Sequence, residues 1–182
     1  MTDNYKAFIG SWLDALGTII SALAEVRALS GLNDINNQLI SIGEALQALG
    51  SAIIGTVSST ESLGFAGNWI NGAGAAASSL AAYLQDIENG EENEQLEILG
   101  DTMQSLGSSI SAVSDYQQGE EEMAIGNALQ GLGAGLESIG GIMVLRGEGA
   151  GQIISTIGAI SQMIGSNYNA LIITEELYQQ NN

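Results

Sequence analysis

The densest group of chemically capable side chains is an acidic run: Asp86, Glu88, Glu91, Glu92, Glu94, Glu97 and Asp101. Carboxylates grouped this way offer hard oxygen ligands for Ca²⁺ or Mg²⁺. The spacing is not that of an EF-hand, and no Asp-x-Asp-x-Asp-Gly occurs. On a helix, Glu94, Glu97 and Asp101 fall at heptad positions f, b and f, the exposed side, so the run reads as a solvated acidic corner. Paired carboxylates can also transfer protons, but only as a desolvated pair in a cleft, and no acid takes an a or d position in the repeats described below. Nucleophile triads fail because the chain has no histidine, and a di-iron bundle would need Glu-x-x-His. Lys6, the single lysine, is poorly placed for Schiff-base chemistry. Gly131-Leu-Gly-Ala-Gly135 and Gly147-Glu-Gly-Ala-Gly-Gln152 lack the Lys-Ser/Thr and the preceding strand of a phosphate loop. No catalytic residue, cofactor or metal is assigned, and the chain is not read as an enzyme.

Composition narrows the classes further. The 182 residues suit one domain, 1–182. Twenty-one acidic residues against three basic ones give a net charge of −18, with no cysteine and no proline. Nothing in such a chain would neutralise nucleic-acid phosphates or bind an anionic membrane surface. Zinc, haem and ordinary iron sites lose their usual ligands. Only 13% of residues are charged and 45% are apolar, so the net charge reflects missing cations in a folded chain.

The elements are set by an eight-residue pattern: glycine, two residues, apolar, polar, one residue, apolar, glycine. It occurs as Gly10–Gly17, Gly43–Gly50, Gly67–Gly74, Gly100–Gly107, Gly126–Gly133 and Gly151–Gly158. Apolar residues extend it at alternating steps of four and three, as in Ile42, Leu46, Leu49 and Ile53, or Leu99, Met103, Leu106, Ile110 and Val113. That is a heptad with apolar a and d positions, hence helix. The glycines fall at e. An interior helix glycine costs roughly 1 kcal/mol relative to alanine, so twelve of them need an offsetting gain, and close helix–helix approach supplies one. The residue after each a position is polar: Asp14, Gln47, Asn71, Gln104, Gln130 and Ser155. This row is taken as the solvent side, and the a/d row as a packing seam.

Turn signals separate the copies. Ser30-Gly31, Asn89-Gly90, Gln118-Gly119 and Gly147-Glu148-Gly149 close or divide helices. Asn33 or Asp34 opens the second, and Ser58-Ser-Thr-Glu61 matches a capping box for the third. The spans predicted are 3–29, 34–58, 61–88, 91–117, 120–145 and 149–180, each about 38 Å long. Acids cluster at the starts, as the helix dipole favours. The expected fold is all-α: six long antiparallel helices in a glycine-zippered bundle or a stacked helical-hairpin array. Trp12 and Trp69 share one motif slot, two residues after the glycine. Core packing is the first reading for them and an interface spot the second.

Two uncharged stretches, 62–85 and 149–174, exceed the ~20 residues that span a bilayer. Asn68, Asn71, Ser78 and Gln85 in the first, and Gln152, Ser155, Gln162 and Asn167 in the second, argue against spanning. Flanking Lys or Arg is also missing. Met1–Lys6 is not a basic n-region and Asp14 interrupts the following apolar run, so no secretory signal is expected. The compartment stays open between the cytoplasm and a spore or cell surface reached by non-classical release.

The segments Ile42-Gly-Glu-Ala-Leu-Gln-Ala-Leu-Gly50 and Ile125-Gly-Asn-Ala-Leu-Gln-Gly-Leu-Gly133, with the opening Gly10-Ser-Trp-Leu-Asp-Ala-Leu-Gly17, resemble an uncharacterised repetitive-protein family of spore-forming Gram-positive bacteria. Its members carry tandem Ile-Gly-Asn-x-Leu-Gln-Ala-x-Gly units. The likeness spans nearly the whole chain and departs most at Gly72 and Ala73. It implies a bacterial source and a non-enzyme, and carries over no site residues. The function expected is therefore structural: self-association through Gly/Ala-rich helix faces into a homo-oligomer, polymer or lattice, with the chain itself as partner and no nucleic acid or specific small molecule. A membrane-active or pore-forming protein, opening through 62–85 and 149–174, is the alternative, and an acidic cation buffer a third class.

Overall fold

Long helices form because glycine turns and dipole-matched acids punctuate an otherwise unbroken 3.6-residue pattern. The computed structural model describes residues 2–59 and 62–180. It contains α1 (Asp3–Leu29), α2 (Asn36–Gly55), α3 (Leu63–Ile87), α4 (Glu91–Gln118), α5 (Glu121–Leu145) and α6 (Gly151–Gln180), with no strand among the described residues. Gly31, Gly119 and Gly147 end α1, α4 and α5 with φ of +78°, +84° and +71°. Each belongs to a Schellman turn: the next residue's amide reaches back five positions, as in Leu32 N to Arg27 O at 2.9 Å and Glu148 N to Met143 O at 2.8 Å.

Four boundaries differ from expectation by two residues or more. The second helix begins at Asn36 rather than 34, Asp34 pairing with Arg27 at 2.5 Å instead of capping it. It ends at Gly55 rather than 58, and the third and sixth begin at Leu63 and Gly151 rather than 61 and 149. The expected capping box at 58–61 includes Thr60 and Glu61, which lie outside the described residues. Ser62 caps α3, its hydroxyl accepting from the Phe65 amide at 3.1 Å.

Packing is strictly neighbour to neighbour. Each helix touches the one before and the one after it, and α1 closes on α6; no other helix pair packs among the described residues. The six helices therefore form a closed ring around an axis. Gly10 faces Gly50 and Gly17 faces Gly43, so α1 and α2 run in opposite directions. The pairs Gly67/Gly107 and Gly74/Gly100 do the same for α3 and α4, and Gly133/Gly158 for α5 and α6. A methyl group at Gly17 would sit 2.9 Å from the Gln47 amide nitrogen, and one at Gly50 would sit 2.7 Å from that of Asp14. The glycines thus bring backbones together within three hairpins. The seams between hairpins use small polar residues: Ser79 Oγ donates to Ser41 O at 2.8 Å, Ser105 Oγ to Gly131 O at 2.8 Å, and Thr18 and Ser166 hydroxyls lie 2.6 Å apart.

The distribution of polarity is the reverse of the expected one. The buried apolar side chains are all alanines, among them Ala15, Ala24, Ala75, Ala81 and Ala170. The largest fully buried side chains are Gln47 and Gln104. The row taken as the solvent side points into the ring instead: Asp14, Gln47, Gln104 and Gln130 are buried, and Asn71 and Ser155 half-buried. The d positions of the apolar row point outward, with Ile42 54% exposed, Leu106 57% and Leu132 66%. Small residues on both flanks of each helix draw its two neighbours in. The bulky row is then left facing away from the axis.

Candidate functional site

Two polar cavities lie on the axis, each lined by all six helices. The upper one, toward the turns at 30–35, 88–90 and 146–150, has a volume of about 320 Å³. The lower one, toward residues 56–59 and the 119–120 turn, has about 280 Å³. Between them lie Thr18, Gln47 and Gln104. They follow from the register: Gln47 sits between Glu44 of the upper cavity and Ser51 of the lower, and Gln104 between Asp101 and Ser108.

The upper cavity collects Glu25, Glu44, Glu94, Glu97, Asp101 and Glu137, and no lysine or arginine lines it. This corrects the expectation for the acidic run. Glu94, Glu97 and Asp101 line the lumen, while Asp86, Glu88, Glu91 and Glu92 stay exposed at the rim. Donors from the ring hold the carboxylates. Glu44 accepts from Ser21 at 2.9 Å, Gln47 at 2.6 Å and Gln104 at 3.0 Å. Glu25 accepts from Gln152 at 2.7 Å, Asp101 from Ser78 at 3.0 Å, and Glu137 from Gln162. Among the described residues no three carboxylates converge closely enough to ligate one metal ion. Burial, and for Glu97, Asp101 and Glu137 the neighbouring carboxylates as well, pushes these acids up: Glu25 and Glu44 to about 7, Glu97 to about 8, and Asp101 and Glu137 well above the usual carboxylate range. The cluster is therefore partly protonated near neutral pH and gains negative charge as pH rises. It attracts cations and excludes anions.

The lower cavity is mostly hydroxyl and amide. Asn71 donates to Ser51 at 2.9 Å and receives Ser108 at 3.2 Å. Asn127 donates to Asp115 at 2.5 Å and accepts from Asn169 at 2.9 Å. Asp14 and Asn169 line the same space.

The sequence-identified glycines are all buried against another helix. Gly10, Gly17, Gly43, Gly50, Gly67, Gly74, Gly100, Gly107, Gly133 and Gly158 pair among themselves. Gly126 and Gly151 meet Gly165 and Gly140, which the motif did not include. Trp12 and Trp69 are not core residues. Trp12 is half-buried and donates to Thr174 Oγ1 at 2.9 Å; Trp69 is 44% exposed beside Gly55. Glu25, Glu44 and Glu137 escaped the sequence reading. The available signal was a second polar stripe, parallel to the apolar one: Ser11, Asp14, Thr18, Ser21 and Glu25 on α1, and Glu44, Gln47 and Ser51 on α2.

A model of a family of unknown function, DUF6944, matches residues 5–170, and the chain belongs to that family. No curated protein and no solved structure matches it.

Proposed function

We propose that this member of the family is a membrane-embedded helical barrel whose acidic lumen takes up small cations. The observation that carries the reading is the inverted burial: small or polar side chains inside and leucine or isoleucine exposed outside on each of the six helices. In water each half-exposed Leu or Ile forfeits about 1 kcal/mol, and a shell of them around a whole circumference has no soluble rationale. Lipid covers a circumference evenly. A closed helical ring also satisfies every backbone group internally, as hydrocarbon requires.

Three further features agree. The shortest helix, α2, has 20 residues, about 30 Å, the thickness of a hydrocarbon core. Exposed charges gather at the two ends, as at Glu91, Glu92, Glu121 and Glu175. Tyr5, Phe8, Trp12, Trp69, Tyr116 and Tyr178 gather toward one end, where an interfacial aromatic belt would lie. By length and hydropathy α1 and α5 qualify as spanning helices. In the other four, lumen-facing polar residues dilute the average.

Self-association is the second reading, favoured by the same outward rows. The glycines are engaged within the chain, so copies would meet through Leu106, Leu132 and their equivalents. Membrane fractionation after expression tests the choice. Retention in the pellet through alkaline carbonate, with release by detergent as single-barrel particles, supports the membrane reading. A monodisperse soluble monomer without detergent overturns both readings, and detergent-independent filaments or lattices replace the first with the second.

A further inference from the structure

The lower cavity contains two buried oxygens with nothing to accept from. Asp14 is 6% exposed and Asn169 5%. Asp14 Oδ1 and Asn169 Oδ1 are both sealed from solvent and lack a hydrogen-bond partner. An unmet acceptor at such depth costs about 1–3 kcal/mol, and more when it is charged. The two residues lie on adjacent helices at a similar level: Thr18 of α1 meets Ser166 of α6, and Trp12 meets Thr174. The Asn169 carboxamide is held in orientation, because its nitrogen donates to Asn127 Oδ1 at 2.9 Å. It lies in the space a side chain at Gly126 would take, so the glycine makes room for it.

We propose that Asp14 and Asn169 are ligands of a single small alkali cation held in the lower cavity. The donor chemistry selects the class. One fully buried carboxylate, one amide oxygen and nearby hydroxyls such as Ser11 and Ser166 give hard oxygens with one formal negative charge at the site. Calcium sites draw on several carboxylates. The cavity's second acid, Asp115, is already engaged by Asn127. No lysine or arginine lines the cavity, and burial, with Glu44 second, pushes the Asp14 carboxyl up to about 7, so the ionised form is balanced only when a mobile cation takes the place of the proton. The site deepens the lumen reading, on which it rests for access, but not for its ligands.

The test is thermal melting of the purified chain in detergent micelles, in sodium, potassium or choline chloride at fixed ionic strength. Sodium or potassium should raise the melting temperature by about 5 °C or more once the ion is in ~100-fold excess over its dissociation constant, and choline should not. Asp14→Asn and Asn169→Leu should each remove the rise, while Glu148→Gln, at an exposed position that lines neither cavity, should keep it. Sodium-23 linewidth with the unaltered protein, narrowed by potassium competition, gives a reading that needs no variant. Identical melting in all three salts overturns the site, as does a rise that survives both substitutions or a response to calcium alone. Membrane retention of the same samples separates failure of this site from failure of the barrel reading.

Discussion

Gln104 Nε2 donates to Glu44 Oε2 at 3.0 Å across the axis of the ring, joining α4 to α2, two helices that do not pack on each other. Gln47 reaches the same carboxylate from within α2 at 2.6 Å. The three side chains close the lumen between the two cavities. A hydrogen bond contributes roughly 0.5–1.5 kcal/mol, and more when its acceptor is ionised, so this cross-brace stiffens the ring as well as blocking it.

Removing the brace should open the passage. The double substitution Gln47→Ala with Gln104→Ala should increase cation flux through liposomes containing the protein several-fold, read with a cation-sensitive dye. It should also lower stability by about 2 kcal/mol or more. Unchanged flux in a variant that still folds would show that the block lies elsewhere.

The glycine contacts predict a graded series. At Gly107 a Cβ would sit 2.8 Å from Asn71 Cα, and at Gly133 2.6 Å from Gly158 O. Gly107→Leu and Gly133→Leu should therefore destabilise by about 3 kcal/mol or more, because backbones must part. Gly149 has no atom within 4 Å of such a Cβ, and Gly149→Ala should stay within about 0.5 kcal/mol. Denaturant titration followed by circular dichroism measures both.

A charge on the outer row distinguishes lipid from water. Leu106→Arg and Leu132→Arg place a cation on the outward face. If that face meets lipid, each costs roughly 2.5–3.5 kcal/mol near the bilayer centre and should reduce the membrane-retained fraction. If it meets water, yield and solubility should instead improve.

The tryptophans report depth. Trp12 and Trp69 lie toward the same end of the ring, each with a phenylalanine one turn earlier, Phe8 at 6.5 Å and Phe65 at 6.2 Å between ring centroids. Single-tryptophan variants, Trp12→Phe and Trp69→Phe, should be quenched most by lipids brominated near the headgroup, and to similar extents. Quenching deepest at mid-chain positions would displace the interfacial belt.

The left-handed turn at Gly119, φ +84°, should resist replacement. Gly119→Ala should cost about 1 kcal/mol, measured as a lower unfolding midpoint, because a Cβ strains that backbone conformation even where the surrounding space is open.

Local chemistry alone determined much of this protein. The heptad rows made six helices, Gly31, Gly119 and Gly147 ended three of them, and the missing Cβ atoms at Gly17 and Gly43 demanded a close partner. Those features act within one helix or one turn, where spacing is enough. Which way the rows face was settled only by closure of the ring. Asp14, Gln47 and Gln104 form a polar stripe compatible with water outside or with a wet lumen, and Leu106 and Leu132 suit a core or a lipid shell equally well. Periodicity gives two faces but no inside. With six helices drawn together through small residues on both flanks, the bulky row has no room toward the axis and turns outward. That geometry carries Glu44 from α2 to meet Gln104 from α4, a meeting of residues 60 positions apart that no spacing rule within a helix could place.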